Sequence, residues 1–392
     1  MMGKRLKEIF GLILINITLV SGSLNAETVY ADTQAKIEIE KTEMPLKICV
    51  DEENKKTVLQ IVAAWKKIYK NNGVELMVIP SGQQASEEKV QEIQNEITTG
   101  EGPDVFFAEG PNPTWSEQRV VVFEDPKKEM YQGTFLSLKP YMKYFDIDIL
   151  EEKILSAGMA NEEQILIPMT YDYFLYAFTT QDLPENTEIS RNWLELARQK
   201  EKAIQQIVGQ RSGVQFFDTF SEVVDYKKKT LLYSEEQIKK VLDETVALKT
   251  RSLALNWKIK DTGVVSLNDL EELGGEKTVH TVFAMPNQEG GFTANVTLYA
   301  GINKNTKQPL KAVSFLQMLY SEEVLSGKGI ELEDKREASN IRFPQGVSIY
   351  KKELEKRMRS LSRQDQKQIK TIQEEVKTVR FYSIWDLSLI HI

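Results

Sequence analysis

The most restrictive feature of the sequence is an alternation of short apolar runs and amphipathic segments near its beginning. Residues 46–50 form an apolar run, and the next segment carries apolar residues at helical spacing up to Ile68, with Gly73 as the expected C-cap. Residues 74–79 and 104–107 are further apolar runs, separated by a second segment of helical periodicity. The order strand, helix, strand, helix, strand predicts an open, parallel α/β sheet with helices on both faces.

The loops after these strands are the first places to look for a ligand site, because ligands bind beyond the carboxyl ends of strands in such sheets. The loops are predicted at residues 51–54, 81–84 and 108–112. Their candidate binding residues are Glu52, Glu109 and Asn112. The third loop also contains a Gly-Pro pair, so an ordinary turn is the alternative interpretation there.

Length and charge limit the class of protein. A chain of 392 residues favours two lobes, since single hydrophobic cores stop growing at roughly 250–300 residues. Hydrophobic residues make up 41% of the chain, which is enough to build packed cores. The net charge of −8 opposes a nucleic-acid partner, because that binding depends on neutralising phosphates with Lys and Arg.

Few residues are suited to nucleophilic or metal chemistry. The single cysteine, Cys49, lies in the first apolar run, which indicates a buried core residue. One cysteine allows no intrachain disulfide and no thiolate zinc site. The two histidines, His280 and His391, lie far apart and form no Ser/His/Asp set or His-rich cluster. The sequence therefore predicts neither a metal, nor a cofactor, nor catalysis.

The amino-terminal residues have the layout of a secretory signal peptide. Basic residues precede an apolar run at residues 9–20, which is about 12 residues long, whereas a membrane-spanning helix needs roughly 20. Cleavage after Ala26 or Ala31 fits the small-residue rule, so the signal peptide is predicted within residues 1–31. The three residues before Ser23 resemble a bacterial lipoprotein box, but Ser23 stands where the lipid-bearing cysteine should be. We expect an exported protein without a lipid anchor.

Several segments of the chain have the form of sequence motifs: residues 99–105 (Thr-Gly-Glu-Gly-Pro-Asp-Val), 133–141 (Gly-Thr-Phe-Leu-Ser-Leu-Lys-Pro-Tyr), 165–168, 192–196 (Asn-Trp-Leu-Glu-Leu), and late in the chain 300–303, 311–316 and 319–323. They resemble motifs of the bacterial extracellular solute-binding proteins of sugar transporters, the relatives of maltose-binding protein. Asn192 replaces the family's usual Thr. Each motif alone is weak, but their order along the chain is that of the family.

The resemblance implies a two-lobed, periplasmic-binding-protein-like α/β fold of type II, with strand crossovers as hinges and a solute in the cleft between the lobes. Lobe one is expected to hold residues 45–167 and 297–332. Lobe two is expected to hold residues 168–296 and 333–392. The family continues with a further helical segment, whereas this chain ends in an apolar run, so lobe two is expected to be truncated at its carboxyl terminus.

The hinges of such a fold are expected near Pro168 and Tyr299. Asp104, in the first of the family-like motifs, is expected to support the fold by accepting backbone N–H bonds rather than to contact a ligand.

The second lobe should supply further binding residues. A sugar presents flat apolar faces and a rim of hydroxyls, so its receptor needs aromatic rings beside carboxylates and amides. Asp172 and Tyr173 follow the expected crossover, Phe217 and Asp218 fall where the family has a ligand-contacting loop, and Tyr382 lies in a late aromatic pair. The alternatives are strand packing for Tyr173 and a helix N-cap for Asp218.

The predicted function is capture of a small solute, most simply a sugar or oligosaccharide, by a monomer that delivers it to the membrane permease of an ABC transporter. The alternative is a secreted polysaccharide-degrading hydrolase, since two carboxylates in an aromatic cleft would also serve a glycosidase. No such pair stands out among the 58 acidic residues. A third interpretation, a surface adhesin or sensor, would use residues 348–377 as an interaction face, although their charge pattern more simply indicates solvated helix.

Overall fold

The computed structural model describes residues 37–39, 43–111, 120–173, 175–184, 187–211, 219–220, 222–255, 262–275, 280–332 and 335–381. The strands within them are β1 (Leu46–Asp51), β2 (Val74–Ile79), β3 (Val105–Glu109), β4 (Met159–Ala160), β5 (Glu163–Gln164), β6 (Leu166–Asp172), β7 (Leu175–Thr179), β8 (Val224–Asp225), β9 (Thr230–Leu231), β10 (Thr262–Val265), β11 (His280–Ala284), β12 (Phe292–Ile302), β13 (Ile330–Leu332), β14 (Lys335–Glu337), β15 (Val347–Ser348) and β16 (Val376–Phe381).

The α-helices of the same residues are α1 (Glu52–Ile68), α2 (Gln83–Thr98), α3 (Pro126–Gln132), α4 (Glu152–Leu155), α5 (Trp193–Arg198), α6 (Lys202–Arg211), α7 (Glu235–Ala254), α8 (Leu270–Gly275), α9 (Pro309–Leu319), α10 (Glu322–Leu325), α11 (Lys351–Arg357) and α12 (Arg363–Glu374). Within the part of the chain that the structure describes, no helix is both long enough and apolar enough to cross a membrane.

A seven-stranded sheet forms the larger part of the molecule. Its strand order is β15-β6-β12-β3-β1-β2, and β16 also pairs with β12. Strand β1 runs parallel to both β2 and β3, which confirms the parallel α/β sheet predicted from the apolar runs. The sheet is mixed rather than all parallel, because β12 returns antiparallel to β3 and β6. All five residues of β3 are buried, as its continuous apolar run predicts for a central strand.

Strand β12 is a long central strand of the large sheet. It is 11 residues long and buried throughout. Its first half pairs with β16, and its second half pairs with β3 on one side and β6 on the other. Tyr299 and Pro168, the two residues predicted as hinges, are register partners in the β6–β12 ladder, next to a register shift between Leu298 and Tyr299. The hinge role and the lobe boundaries stay predictions.

A second, smaller α/β region surrounds the three-stranded sheet β10-β7-β11. Its hydrophobic core includes Trp193, Leu196, Ile204 and Phe283, and it forms a cluster separate from the core of the large sheet. Helix α5 belongs to this region, and the side chain of Asn192 caps its N-terminus by accepting N–H bonds from Leu194 and Glu195. Asn at the family's Thr position thus fulfils the N-cap function.

Two other expectations about core residues are confirmed. Cys49 is fully buried, and burial raises the pKa of its thiol, so it is a core residue. Asp104 accepts the backbone N–H of Lys47 at 2.9 Å and the side chains of Thr306 and Gln308. Its carboxylate ties β1, β3 and the start of α9 together.

Some local expectations are wrong. Helix α1 ends at Ile68 with Tyr69 as its C-cap, so Gly73 does not cap it. Residues 51–54 are not a loop, because β1 leads directly into α1. The predicted loop at 108–112 also starts too early: Ala108 and Glu109 belong to β3, and the Gly110 N–H continues the ladder by bonding to the Thr297 carbonyl at 2.9 Å.

Candidate functional site

The carboxyl end of β3 carries a buried carboxylate held by amide side chains. Glu109 is 2% exposed. Its Oε1 accepts a hydrogen bond from Asn54 Nδ2 at 3.0 Å and another from Gln345 Nε2 at 2.6 Å. Its backbone N–H donates to Asp51 Oδ2 at 3.1 Å. We call Asp51, Asn54, Glu109 and Gln345 the polar cluster.

The junction between β1 and α1 positions one half of the cluster. Asp51 ends β1 and occupies the N-cap position of α1, yet its side chain makes no cap bond and instead accepts the N–H of Glu109. Asn54 lies in the first helical turn and is fully buried, which places its amide against the end of β3. Two negative side chains beside a helix N-terminus are favourable, because the helix dipole is positive there.

A late segment of the chain positions the other half. Phe343 packs its ring 5.9 Å from that of Phe107, and Gln345 reaches Glu109 from this segment. Gly346 has a φ of +155°, and a Cβ on it would lie 2.5 Å from the carbonyl oxygen of Tyr171. Only glycine lets the segment approach β6 this closely, so Gly346 holds Gln345 over the strand ends.

In both amide side chains of the cluster, the nitrogen is hydrogen-bonded but the oxygen has no partner among the described residues. Asn54 Oδ1 and Gln345 Oε1 are buried, and neither has a hydrogen-bond partner among the described residues. An unpaired buried polar atom costs about 1–3 kcal/mol, so each one calls for an explanation. Both oxygens are acceptors, and their amide nitrogens are already committed to Glu109. The cluster can therefore accept hydrogen bonds from a bound molecule that carries hydroxyl or amine donors.

The end of β6 carries the next two predicted residues. Asp172 is buried, and its Oδ1 accepts the backbone N–H of Leu267 at 2.9 Å, so one carboxylate oxygen supports the fold. The ring of Tyr173 is 2% exposed and lies 6.3 Å from the ring of Tyr171. Its hydroxyl has no partner among the described residues. Burial, with a contribution from Asp172, raises the pKa of Tyr173, so its hydroxyl remains a donor at neutral pH.

A third buried tyrosine lies between these groups in the sheet. Tyr299 is fully buried in β12, and its hydroxyl also has no partner in the described part of the chain. Burial is the main cause of its raised pKa, and the negative charge of Asp51 raises the pKa further. The strand ends are thus lined with carboxylates and protonated tyrosines.

The predicted site residues lie in different environments in the structure. It brings Glu109 into the polar cluster and leaves Glu52 exposed, with Glu52 Oε1 3.2 Å from Lys55 Nζ. Asn112, Phe217, Asp218 and Tyr382 lie outside the described residues. Their role in binding stays a prediction, as does that of Asp172 and Tyr173.

Sequence reasoning singled out Glu109 and missed the other three members of the cluster, Asp51, Asn54 and Gln345. Asn54 lies inside the segment 51–54 that was expected to face the ligand, but its type did not distinguish it from its neighbours. Gln345 lies 236 residues from its partner Glu109, in a segment without regular secondary structure, and no sequence signal identifies it.

A central mixed sheet with helices and a second, smaller α/β core are the features of the periplasmic-binding-protein-like fold class. The chain belongs to the family of bacterial extracellular solute-binding proteins, whose family model matches residues 51–325. Among curated protein sequences, none matches the chain significantly.

Solved structures agree on the fold. A family 1 extracellular solute-binding protein from Alicyclobacillus acidocaldarius is similar over 87% of each chain, with a TM-score of 0.54 and 14% identity. A periplasmic oligogalacturonide-binding protein from Yersinia enterocolitica covers 86% of this chain and 88% of its own, with a TM-score of 0.52 and 14% identity. An ABC substrate-binding protein from Listeria monocytogenes in complex with cycloalternan covers 87% and 89%, with a TM-score of 0.51 and 10% identity.

Proposed function

We propose that the chain is the extracellular solute-binding component of an ABC importer and captures a sugar or oligosaccharide in a cleft between its two lobes. The observation that carries this proposal is the polar cluster. Glu109 is held by two amides, and the oxygens of those amides, in Asn54 and Gln345, are buried acceptors without partners among the described residues.

The chemistry of the cluster suits a carbohydrate. Each sugar hydroxyl can donate one hydrogen bond, and Glu109, Asn54 and Gln345 offer acceptors within one small region. Tyr173 adds an aromatic ring beside the end of the neighbouring crossover strand. Two structural neighbours are described as binding oligogalacturonide or cycloalternan, which supports the same ligand class for this chain.

Binding without turnover is the second part of the proposal. A glycosidase needs one carboxylic acid to protonate the leaving group and a second carboxylate at a fixed separation. Here Glu109 accepts bonds from two amides, and Asp51 accepts a backbone N–H. Both carboxylates therefore act as hydrogen-bond acceptors, which suits groups that hold a solute in place.

Export and delivery complete the proposal. Residues 1–31 would direct the chain across the membrane, and the monomeric mature protein would present its solute to the permease of an ABC transporter. Mass spectrometry of the secreted protein should find a first residue of Glu27 or Asp32 and no diacylglycerol. A lipid-modified product would contradict the unanchored form.

A thermal-shift screen of the mature protein against neutral and acidic oligosaccharides tests the ligand class. A ligand at about 100 times its dissociation constant adds roughly 2.7 kcal/mol of stability, which should raise the melting temperature by a few degrees. The sugar recovered after incubation should be chemically unchanged. Sugar release from a polymer would contradict the non-catalytic role, and the absence of a shift with every sugar would contradict the ligand class.

The variant Glu109→Gln tests the polar cluster itself. A hydrogen bond to a charged group contributes about 1.5–3 kcal/mol, so the dissociation constant for the sugar found in the screen should rise roughly 10- to 100-fold. The matched control is Glu92→Gln, on the exposed face of α2, which should keep the parental affinity. Equal affinities of the two variants would show that Glu109 does not contribute to solute binding.

A further inference from the structure

A short hairpin of the small region contacts the large one. Strands β8 and β9 form this hairpin, which we call the latch hairpin and define as residues 222–231. The Lys127 ammonium pairs with the Glu222 carboxylate, and the Tyr226 hydroxyl donates to Asp125 Oδ2. The rings of Tyr131 and Tyr226 stack with their centroids 6.2 Å apart. These contacts join the latch hairpin to helix α3.

The two partners belong to different hydrophobic cores. Met130 of α3 is buried in the core of the large sheet. Val223, at the start of the latch hairpin, is buried in the core of the small sheet, and Val224 packs against the same core. Each side of the contact is therefore anchored in its own region. A change in the relative position of the two cores must make or break the contact.

The contact is shielded and its acceptor is held in place. Asp125 is 4% exposed and is the N-cap of α3, since its Oδ1 accepts the N–H of Lys128 at 2.9 Å. The side chains of Lys127 and Glu222 are 21% and 29% exposed, so solvent screens this ion pair only in part. Such a contact contributes more than an exposed surface pair.

The segment that leads into α3 packs onto β3. The ring of Phe123, two residues before Asp125, lies 5.0 Å from the ring of Phe106 in β3. The basic run at residues 227–229 forms the exposed turn of the hairpin.

We propose that the latch hairpin holds the two lobes together through Tyr226–Asp125 and Glu222–Lys127, and so sets the fraction of closed molecules before solute arrives. The proposal rests on the proposed function, because it assumes closure of two lobes around a solute. The apparent dissociation constant is the intrinsic constant divided by the binding-competent fraction, so a weaker latch lowers affinity without touching the solute.

Single-molecule energy transfer between the lobes, in the absence of any sugar, tests the latch. Dyes at Gln91→Cys in α2 and Lys240→Cys in α7 report the separation, since both positions are exposed and the native Cys49 is buried. In the double variant Tyr226→Phe/Glu222→Gln, the ratio of closed to open molecules should fall about fivefold, or about 1 kcal/mol. The single variant Tyr226→Phe should show a smaller fall in the same direction.

The controls separate the latch from general damage. Tyr233→Phe removes a tyrosine-to-carboxylate bond, to Glu289, that lies within the small region, and it should leave the ratio unchanged. The charge exchange Lys127→Glu/Glu222→Lys should restore the closed fraction that Glu222→Gln loses.

The outcome is independent of the ligand. An unchanged ratio in the double variant would overturn the latch even where a sugar binds. If the charge exchange does not restore the closed fraction, the Lys127–Glu222 ion pair is not part of the latch. If the ratio falls as expected but no sugar binds, the latch stands and the sugar assignment fails.

Discussion

Strand β12 of the large sheet and strand β11 of the small sheet satisfy their backbone hydrogen-bonding groups in different ways. In the large sheet, β12 is paired along its length by backbone ladders to β3, β6 and β16. In the small sheet, β11 pairs with β7 and with no second strand of the described residues. Its other edge meets side chains of α12: the His280 N–H donates to Asp365 Oδ1 at 3.1 Å, and the Val282 N–H donates to Gln368 Oε1 at 2.8 Å.

This difference determines how each region depends on its sequence. A backbone ladder tolerates many side chains, because each residue brings the same N–H and C=O groups. An edge that is satisfied by side chains depends on particular residues of a helix that is distant in sequence. The small region should therefore be more sensitive to single polar substitutions, and the large region mainly to loss of packing volume.

The largest expected effect comes from the buried tryptophans at the two cores. Trp65 is fully buried in the large core, where its Nε1 donates to Ser314 Oγ at 3.0 Å, and Trp193 is fully buried in the small core. Trp65→Ala and Trp193→Ala should each lower the free energy of unfolding by about 3–5 kcal/mol. Hydrogen exchange should show the loss of protection in β1 and β3 for the first variant, and in β7 and β11 for the second.

Equal loss of protection in both sheets for both variants would break the comparison. It would mean that the two cores unfold as one cooperative unit.

A smaller effect is expected from the polar edge of β11. Asp365→Ala leaves the buried N–H of His280 without its acceptor, which should cost about 1–3 kcal/mol in the free energy of unfolding. Urea unfolding measures the cost, and amide exchange at His280 should accelerate. The matched control is Asp243→Ala on the exposed face of α7, which should leave the urea midpoint unchanged. If Asp365→Ala leaves the free energy of unfolding unchanged, the edge of β11 does not need its side-chain acceptor.

The smallest of the three effects concerns the start of α5. Asn192→Ala removes the acceptor for the N–H groups of Leu194 and Glu195, at an expected cost of about 1 kcal/mol. Asn192→Thr lacks the amide donor to the Gln288 carbonyl, as the alanine variant does, but keeps a cap acceptor, so it should retain more of the stability than Asn192→Ala. Thermal unfolding of both variants gives the comparison, and equal losses in the two would assign the effect to something other than the cap.

The fold was predictable to the extent that it depends on local patterns. The apolar runs predicted the positions of β1, β2 and β3. Their alternation with helical segments predicted that these strands pair in parallel. The role of Asp104 was also predictable, because a carboxylate at such a turn commonly accepts backbone N–H bonds. The limits of the loops were less predictable, since residues 51–54 suit either a loop or a first helical turn.

The candidate site was only partly predictable. Glu109 follows from its place at the end of a parallel strand. Gln345 does not, because its position over β3 depends on the close approach of Gly346 to β6 and on the packing of Phe343 against Phe107. The latch hairpin is unpredictable for the same reason: Tyr226 and Asp125 lie 101 residues apart.

The sequence by itself determined the order of strands and helices, the family and the edge of the sheet at which polar residues gather. These depend on side-chain periodicity and on turn residues, which act over a few positions of the chain. The tertiary structure alone decided which carboxylate is buried, which amides hold it, and which hairpin meets the opposite core. Those contacts join residues that are far apart in the chain, and only the packing of the two cores brings them within hydrogen-bonding distance.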